Sequence, residues 1–135
     1  VKFGMMLGYE TGIWCALAVF CGHIWPCLYR FKGGKGVATA FGAILSVNWL
    51  LALTALAIVA CGLLISKRMS VGSLLGAATF PVACWFMEKD FIIVGCIMAA
   101  IVLIKHRANI VRLIKGEEPP MGIFKTKNRE DKQAE

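Results

Sequence analysis

The sequence predicts an all-α integral membrane protein: a polytopic helical bundle with a short cytoplasmic-side helical hairpin. Three observations predict it. Of 135 residues, 59 % are hydrophobic and 17 % are charged, too few polar residues to cover a soluble domain of this size. The apolar residues are gathered in long uncharged runs, and the mean hydropathy is +0.71. The net charge of +7 sits in short clusters between those runs. That is how loops beside anionic lipid are built, so no nucleic-acid partner is expected. The chain divides into a multi-span membrane region, 1–115, and a polar cytoplasmic tail, 116–135.

The first run, Thr11 to Tyr29, has 19 residues without a charge, about enough to span a bilayer at 1.5 Å per residue. Glu10 precedes it, and Arg30, Lys32 and Lys35 follow. The excess of basic residues puts the loop after this span in the cytoplasm. The second run, Val37 to Ser66, has 30 uncharged residues, roughly 45 Å as one helix and too long for a hydrocarbon core of about 30 Å. Basic clusters flank both its ends, so a single crossing would strand one of them outside. The polar "SVN" at Ser46–Asn48 offers a turn. Two short helices are expected, Val37–Leu45 and Trp49–Ile65, entering and leaving on the cytoplasmic side. Neighbouring helices must cover the turn if it lies in lipid.

A further span runs from Ser70 to Met87, and "EKD" at Glu88–Asp90 follows it outside. Phe91 to Ile104 returns to "KHR" at Lys105–Arg107. This helix is expected to continue into the headgroup zone, because Ile110, Leu113 and Ile114 keep helical spacing. Gly72 and Gly76, four apart, suit close helix packing or loose lipid contact. Past Gly116 the chain is charged and contains Pro-Pro, a solvated tail. Cys15, Cys21, Cys27, Cys61, Cys84 and Cys96 all lie in apolar stretches and form no CxxC pair. They read as small hydrophobes, and no metal is expected.

The loops Arg30–Gly36, Lys67–Ser73 and Lys105–Glu117 all face one side and can converge on one site. In "FKGGKGVAT" the glycines let backbone N–H groups approach an anion, and Val37 opens a helix whose N-terminus favours negative charge. Lys32 and Lys35 add cations, and Thr39 adds a hydroxyl. A nucleotide-binding P-loop is excluded, since Gly36 rather than Ser or Thr follows Lys35. A phosphate site and a lysine anchor for lipid headgroups both remain open. In "HRAN", Asn109 lies three residues after His106 on one helical face. The pair can bind hydroxyls or pass a proton, or His106 can simply mark the headgroup boundary. His23 lies inside an uncharged span, as a functional group or as a hydrogen-bonding partner for a neighbouring helix. Ser70 and Ser73 follow Lys67 and Arg68 and can serve the site or cap the next helix.

"GHIWPCLYRFKGGKGVATAFG", "SKRMSVGSLLGA" and "KHRANIVRLIKGEEP" resemble the motifs of the bacterial acyl-phosphate:glycerol-3-phosphate acyltransferases, the PlsY type. Order and spacing agree from Gly22 to Pro119. The resemblance implies a multi-pass enzyme of the bacterial inner membrane, with its active-site loops in the cytoplasm. It implies transfer of a fatty acyl group from acyl phosphate to the 1-hydroxyl of glycerol 3-phosphate. The product is lysophosphatidic acid, for phospholipid biosynthesis, and no cofactor is used. Partners would be glycerol 3-phosphate, acyl phosphate and membrane lipid. It assigns the glycerol-phosphate loop to Gly33, Gly34, Lys35 and Gly36, with Lys32 and Thr39 beside it. It makes His106, Asn109 and Lys35 the catalytic set and Glu117 a structural glutamate. The middle motif supplies Lys67, with an added Arg68, and the serines Ser70 and Ser73. One motif of the family, an N-terminal loop bearing a Ser and an Arg, finds no match. "VKFG" resembles the helix after it, so the chain is expected to correspond to about the last two-thirds of such an enzyme. A non-catalytic membrane module that binds phosphate or lipid is the alternative.

Overall fold

The computed structural model describes residues 1–25 and 35–122. They form seven α-helices: α1 (Lys2–Met6), α2 (Tyr9–Ile24), α3 (Val37–Val47), α4 (Trp49–Ser66), α5 (Met69–Met87), α6 (Ile92–Lys105) and α7 (Arg107–Ile114). A single 3₁₀ turn, Lys89–Phe91, leads into α6. No strand occurs among the described residues. Helix satisfies its own backbone, which is what a chain with this much apolar sequence needs in lipid. α4 and α5 are each long and apolar enough to cross a membrane. α6 and α7 qualify as a pair, bent by 55°, with His106 at the junction outside both. α2 has 16 residues; the expected end of its span at Tyr29 lies outside the described residues.

The hairpin turns at Asn48. Its side-chain oxygen accepts from the N–H groups of Leu50 and Leu51 at 3.0 and 3.1 Å, capping α4. Its Nδ2 donates to Glu88 Oε2 at 2.9 Å, which sets the turn level with the end of α5. The arms are unequal, 11 residues in α3 and 18 in α4. The second arm, within one residue of its expected bounds, is long and apolar enough to span. Because both arms start from one turn, α3 ends seven residues short of α4, about 10 Å inside the bundle. Its start is pinned there by Gly36, at φ +80°, where an added Cβ would lie 2.7 Å from Phe20 and 2.8 Å from Ile24 of α2. Only glycine meets both demands.

α4 and α5 pack most closely. A Cβ on Gly62 would lie 2.8 Å from the Gly72 Cα, and one on Gly72 would lie 2.4 Å from the Val59 carbonyl oxygen. Gly76 faces Val59 in the same way. The small-residue pair of α5 therefore serves helix packing, not lipid contact. At the end where α4 turns into α5, Lys67 takes the left-handed conformation at φ 57°, and its carbonyl accepts the N–H of Met121 at 2.9 Å. Lys105 lies over the Trp25 ring at 4.8 Å, tying α6 to the end of α2.

Gly72→Leu is expected to force α4 and α5 apart and lower stability by about 1–3 kcal/mol or more. Gly42→Ala meets nothing within 4 Å and is expected to be neutral or to add about 0.5–1 kcal/mol. Thermal melting of both variants in detergent checks the contrast.

Candidate active site

The space left by the short α3 is a cavity of about 650 Å³ among α3, α4, α5 and α6. Its polar lining gathers at one end: Lys35 before α3, Ser70 and Ser73 in the first turns of α5, and His106 after α6, with His23 also on the wall. The rest is apolar. The cavity thus has a cationic, hydroxyl-bearing mouth and a hydrocarbon interior. The free N–H groups at the start of α3 add partial positive charge beside Lys35.

His106 is buried. Its Nδ1 lies 2.8 Å from the Val102 carbonyl. A carbonyl can only accept, so Nδ1 carries the proton and Nε2 of the neutral ring is the acceptor. Burial disfavours the charged ring and lowers its pKa below the usual value; the Val102 bond works against this and the nearby Lys35 charge adds to it. A neutral histidine with an accepting Nε2 can take a proton from a hydroxyl.

A second layer stands behind the mouth. Glu118 is buried and accepts from Ser70 Oγ, from Asn109 Nδ2 at 2.6 Å and from Arg112 Nε at 2.7 Å. Asn109 also donates to Ser70 Oγ at 3.0 Å. Burial alone would raise the Glu118 carboxyl, but the bonds from Ser70, Asn109 and Arg112, together with the Arg112 charge, hold it down at about 2. Gly116 makes this possible. At φ +73° it ends α7, with Gly116 N–H bonded to Leu113 and Glu117 N–H to Arg112. That reversal folds the chain back beneath α7.

Several expectations change position. The buried glutamate is Glu118; Glu117 is exposed, because the reversal at Gly116 turns the second of the two adjacent glutamates inward. Asn109 is buried in the network and is not among the residues lining the cavity, and neither are Thr39, Lys67 and Arg68. Ser70 and Ser73 do not cap α5. Arg68 occupies the cap position, Ser70 bonds to Glu118 and Ser73 donates to the Met69 carbonyl at 3.0 Å. Lys32, Gly33 and Gly34 lie outside the described residues. Arg112 was missed, although its spacing of three from Asn109 on α7 places both on one face.

A family model described as glycerol-3-phosphate acyltransferase matches residues 2–116. The glycerol-3-phosphate acyltransferase of Thermoanaerobacter sp. (strain X514) is 39 % identical over 125 residues, 90 % of this chain and 63 % of that protein. That of Thioalkalivibrio sulfidiphilus (strain HL-EbGR7) is 42 % identical over 130 residues, 93 % of this chain and 63 % of that protein. The chain thus spans 63 % of the length of these two relatives. A crystal structure of PlsY (YgiH), described as an integral membrane glycerol 3-phosphate acyltransferase in its glycerol 3-phosphate form, is similar. Its TM-score is 0.83 at 26 % identity, over 90 % of this chain and 63 % of that one. The lysophosphatidic acid form of PlsY gives a TM-score of 0.73 at 25 % identity, over 87 % and 70 % of the two chains.

The carboxylate of Glu118 contributes stability that is full above about pH 4.5, its ordinary pKa, and is lost as pH falls through its folded value of about 2. Glu118→Gln is expected to be less stable at neutral pH and to lose less on acidification. Melting curves of both proteins from pH 6 down to about 2 measure the difference.

Proposed function

The chain belongs to the glycerol-3-phosphate acyltransferase family, and from that premise we propose that it transfers a fatty acyl group from acyl phosphate to the 1-hydroxyl of glycerol 3-phosphate. The observation that carries this reading is the cavity itself, with a cationic mouth opening onto an apolar interior. A substrate with a phosphate head and a hydrocarbon tail fits such a shape, and glycerol 3-phosphate fits the polar end.

Lys35 and the N–H groups opening α3 hold the phosphate of glycerol 3-phosphate. The hydroxyl attacks the acyl carbon, and the new C–O bond forms as the bond from acyl carbon to phosphate oxygen breaks. Phosphate leaves with that electron pair, and His106 Nε2 takes the hydroxyl proton. Acyl phosphate is already activated, so no covalent enzyme intermediate is needed. The protein's task is to bring two anions together and orient the hydroxyl. Ser70 and Ser73 line the mouth with their hydroxyl protons committed to Glu118 and the Met69 carbonyl, and Lys67 and Arg68 add positive charge at the same end of the bundle. Asn109, Glu118 and Arg112 position Ser70. The products are lysophosphatidic acid and phosphate.

The site end faces the cytoplasm of a bacterial cell, across the inner membrane, as the basic residues Lys35, Lys67, Arg68, Lys105 and Arg107 beside it favour. The far end carries Glu10, Glu88 and Asp90. In a cysteine-free background, Glu117→Cys is expected to be labelled from the cytoplasmic side and Lys89→Cys from outside. Labelling of both from one side overturns the orientation.

Lys35→Ala is expected to raise the KM for glycerol 3-phosphate, with a loss of about 1.5–3 kcal/mol in kcat/KM. The KM for acyl phosphate should move little. A rise confined to acyl phosphate would assign the lysine to the other substrate.

The pH profile tests His106. Its pKa is lowered from 6.5, so the neutral base persists below that pH and is lost only as pH falls through the lowered value. The acid limb of kcat/KM is expected below pH 6.5, and Lys35→Met is expected to move it upward. His106→Gln retaining full kcat would hand the proton to a substrate phosphate oxygen.

A further inference from the structure

We infer that Phe80 is a rigid floor that sets the longest acyl chain the cavity accepts, an inference that rests on the acyl-transfer reading. Each of the four surrounding helices contributes one deep residue to the lining: Ile44, Ala55, Phe80 and Met98. Below them the bundle is closed. Leu51, Ala52, Cys84, Phe91 and Val94, the next residues towards the far end, are no more than 1 % exposed. The cavity is therefore a groove, open at the polar mouth and along a side where Leu56 and Met69 remain exposed, and stopped by packed core at its far end.

Among the deep residues, Phe80 is the bulkiest. Ala55 is too small to obstruct, and Met98 is unbranched and adaptable. The Phe80 ring is held edge-on against Phe91, with centroids 6.2 Å apart and planes at 86°, and Phe91 is fully buried. One turn further along the chain, a Cβ built on Gly95 of α6 would come within 3.2 Å of Phe80 Cε1, so Phe91 and Gly95 both back the ring. A chain end reaching Phe80 meets a ring that is backed by packed core.

The depth has a natural measure. Ser70 stands at the mouth and Phe80 at the floor, ten residues apart on one helix, or about 15 Å. The cavity thus admits a chain of about that extended length and stops a longer one.

The test uses n-alkyl phosphates of graded length, with binding to the purified chain in detergent read by native mass spectrometry. Affinity for the free aqueous alkyl phosphate, with its measured partition into detergent taken out, is expected to rise about fourfold per added methylene up to a break and then to level or fall. Phe80→Ala should move the break to longer chains, and Phe80→Trp to shorter ones. Should Phe80→Ala lose its cooperative melting transition, Phe80→Leu replaces it, with a smaller shift in the same direction. A break at one length in every variant overturns the inference, and so does a continuous rise in the wild type. Graded acyl phosphates with glycerol 3-phosphate separate this from the reaction itself. Length-limited binding without transfer at any length would refute the acyltransferase reading and leave the floor standing. Transfer without a break would do the reverse.

Discussion

An 11-residue helix packed beside an 18-residue partner leaves a gap at one end of the bundle, and the site occupies that gap. The two arms share a turn at Asn48, held level with the end of α5 by the bond to Glu88. The difference in length is therefore expressed wholly at the opposite end. There Gly36 and Lys35 enter the bundle about 10 Å inside the end of α4. Gly36 is buried there while Lys35 stays exposed at the rim, so the helix N-terminus opens inside the bundle with a cation beside it. Were α3 two turns longer, its side chains would fill the cavity.

The mouth needs a rigid wall, and a buried carboxylate supplies it. Glu118 is surrounded by three donors from two helices. An unpaired charge in that position would be very costly, so the donors hold it and it holds them. Ser70 belongs to this network and also lines the cavity. The geometry of the cavity wall is thereby linked to the segment after α7, which is further tied down where Met121 bonds to Lys67. The left-handed Lys67 has a backbone purpose: it turns its carbonyl toward that segment. Behind the wall, the glycine contact between α4 and α5 lets two helix backbones approach without intervening side chains.

Much of this was legible in the amino-acid order. Length and hydropathy define α5 as a span, "SVN" marks the hairpin turn from which α4 starts, and glycines four apart offer a close helix contact. Lys35, His106, Ser70 and Ser73 could be named as site residues because cations, glycines and hydroxyls cluster in few places in so apolar a chain. Those signals are local. They depend on the period of a helix, the refusal of lipid to accept bare charge, and the φ that a turn demands.

What tertiary structure alone decided was which neighbouring side chain turns inward. Glu117 and Glu118 are equivalent to any local rule, and the choice falls to Glu118 through the reversal at Gly116 and the donors waiting on α5 and α7. Asn109 shares a helical face with Arg112, yet nothing local says that this face meets Ser70 rather than the cavity; the 55° bend at His106 settles it. Phe80 reads from sequence as one more apolar residue of a span. Its place at the base of the cavity depends on where four helices meet, and that is a property of their relative lengths and not of any one of them.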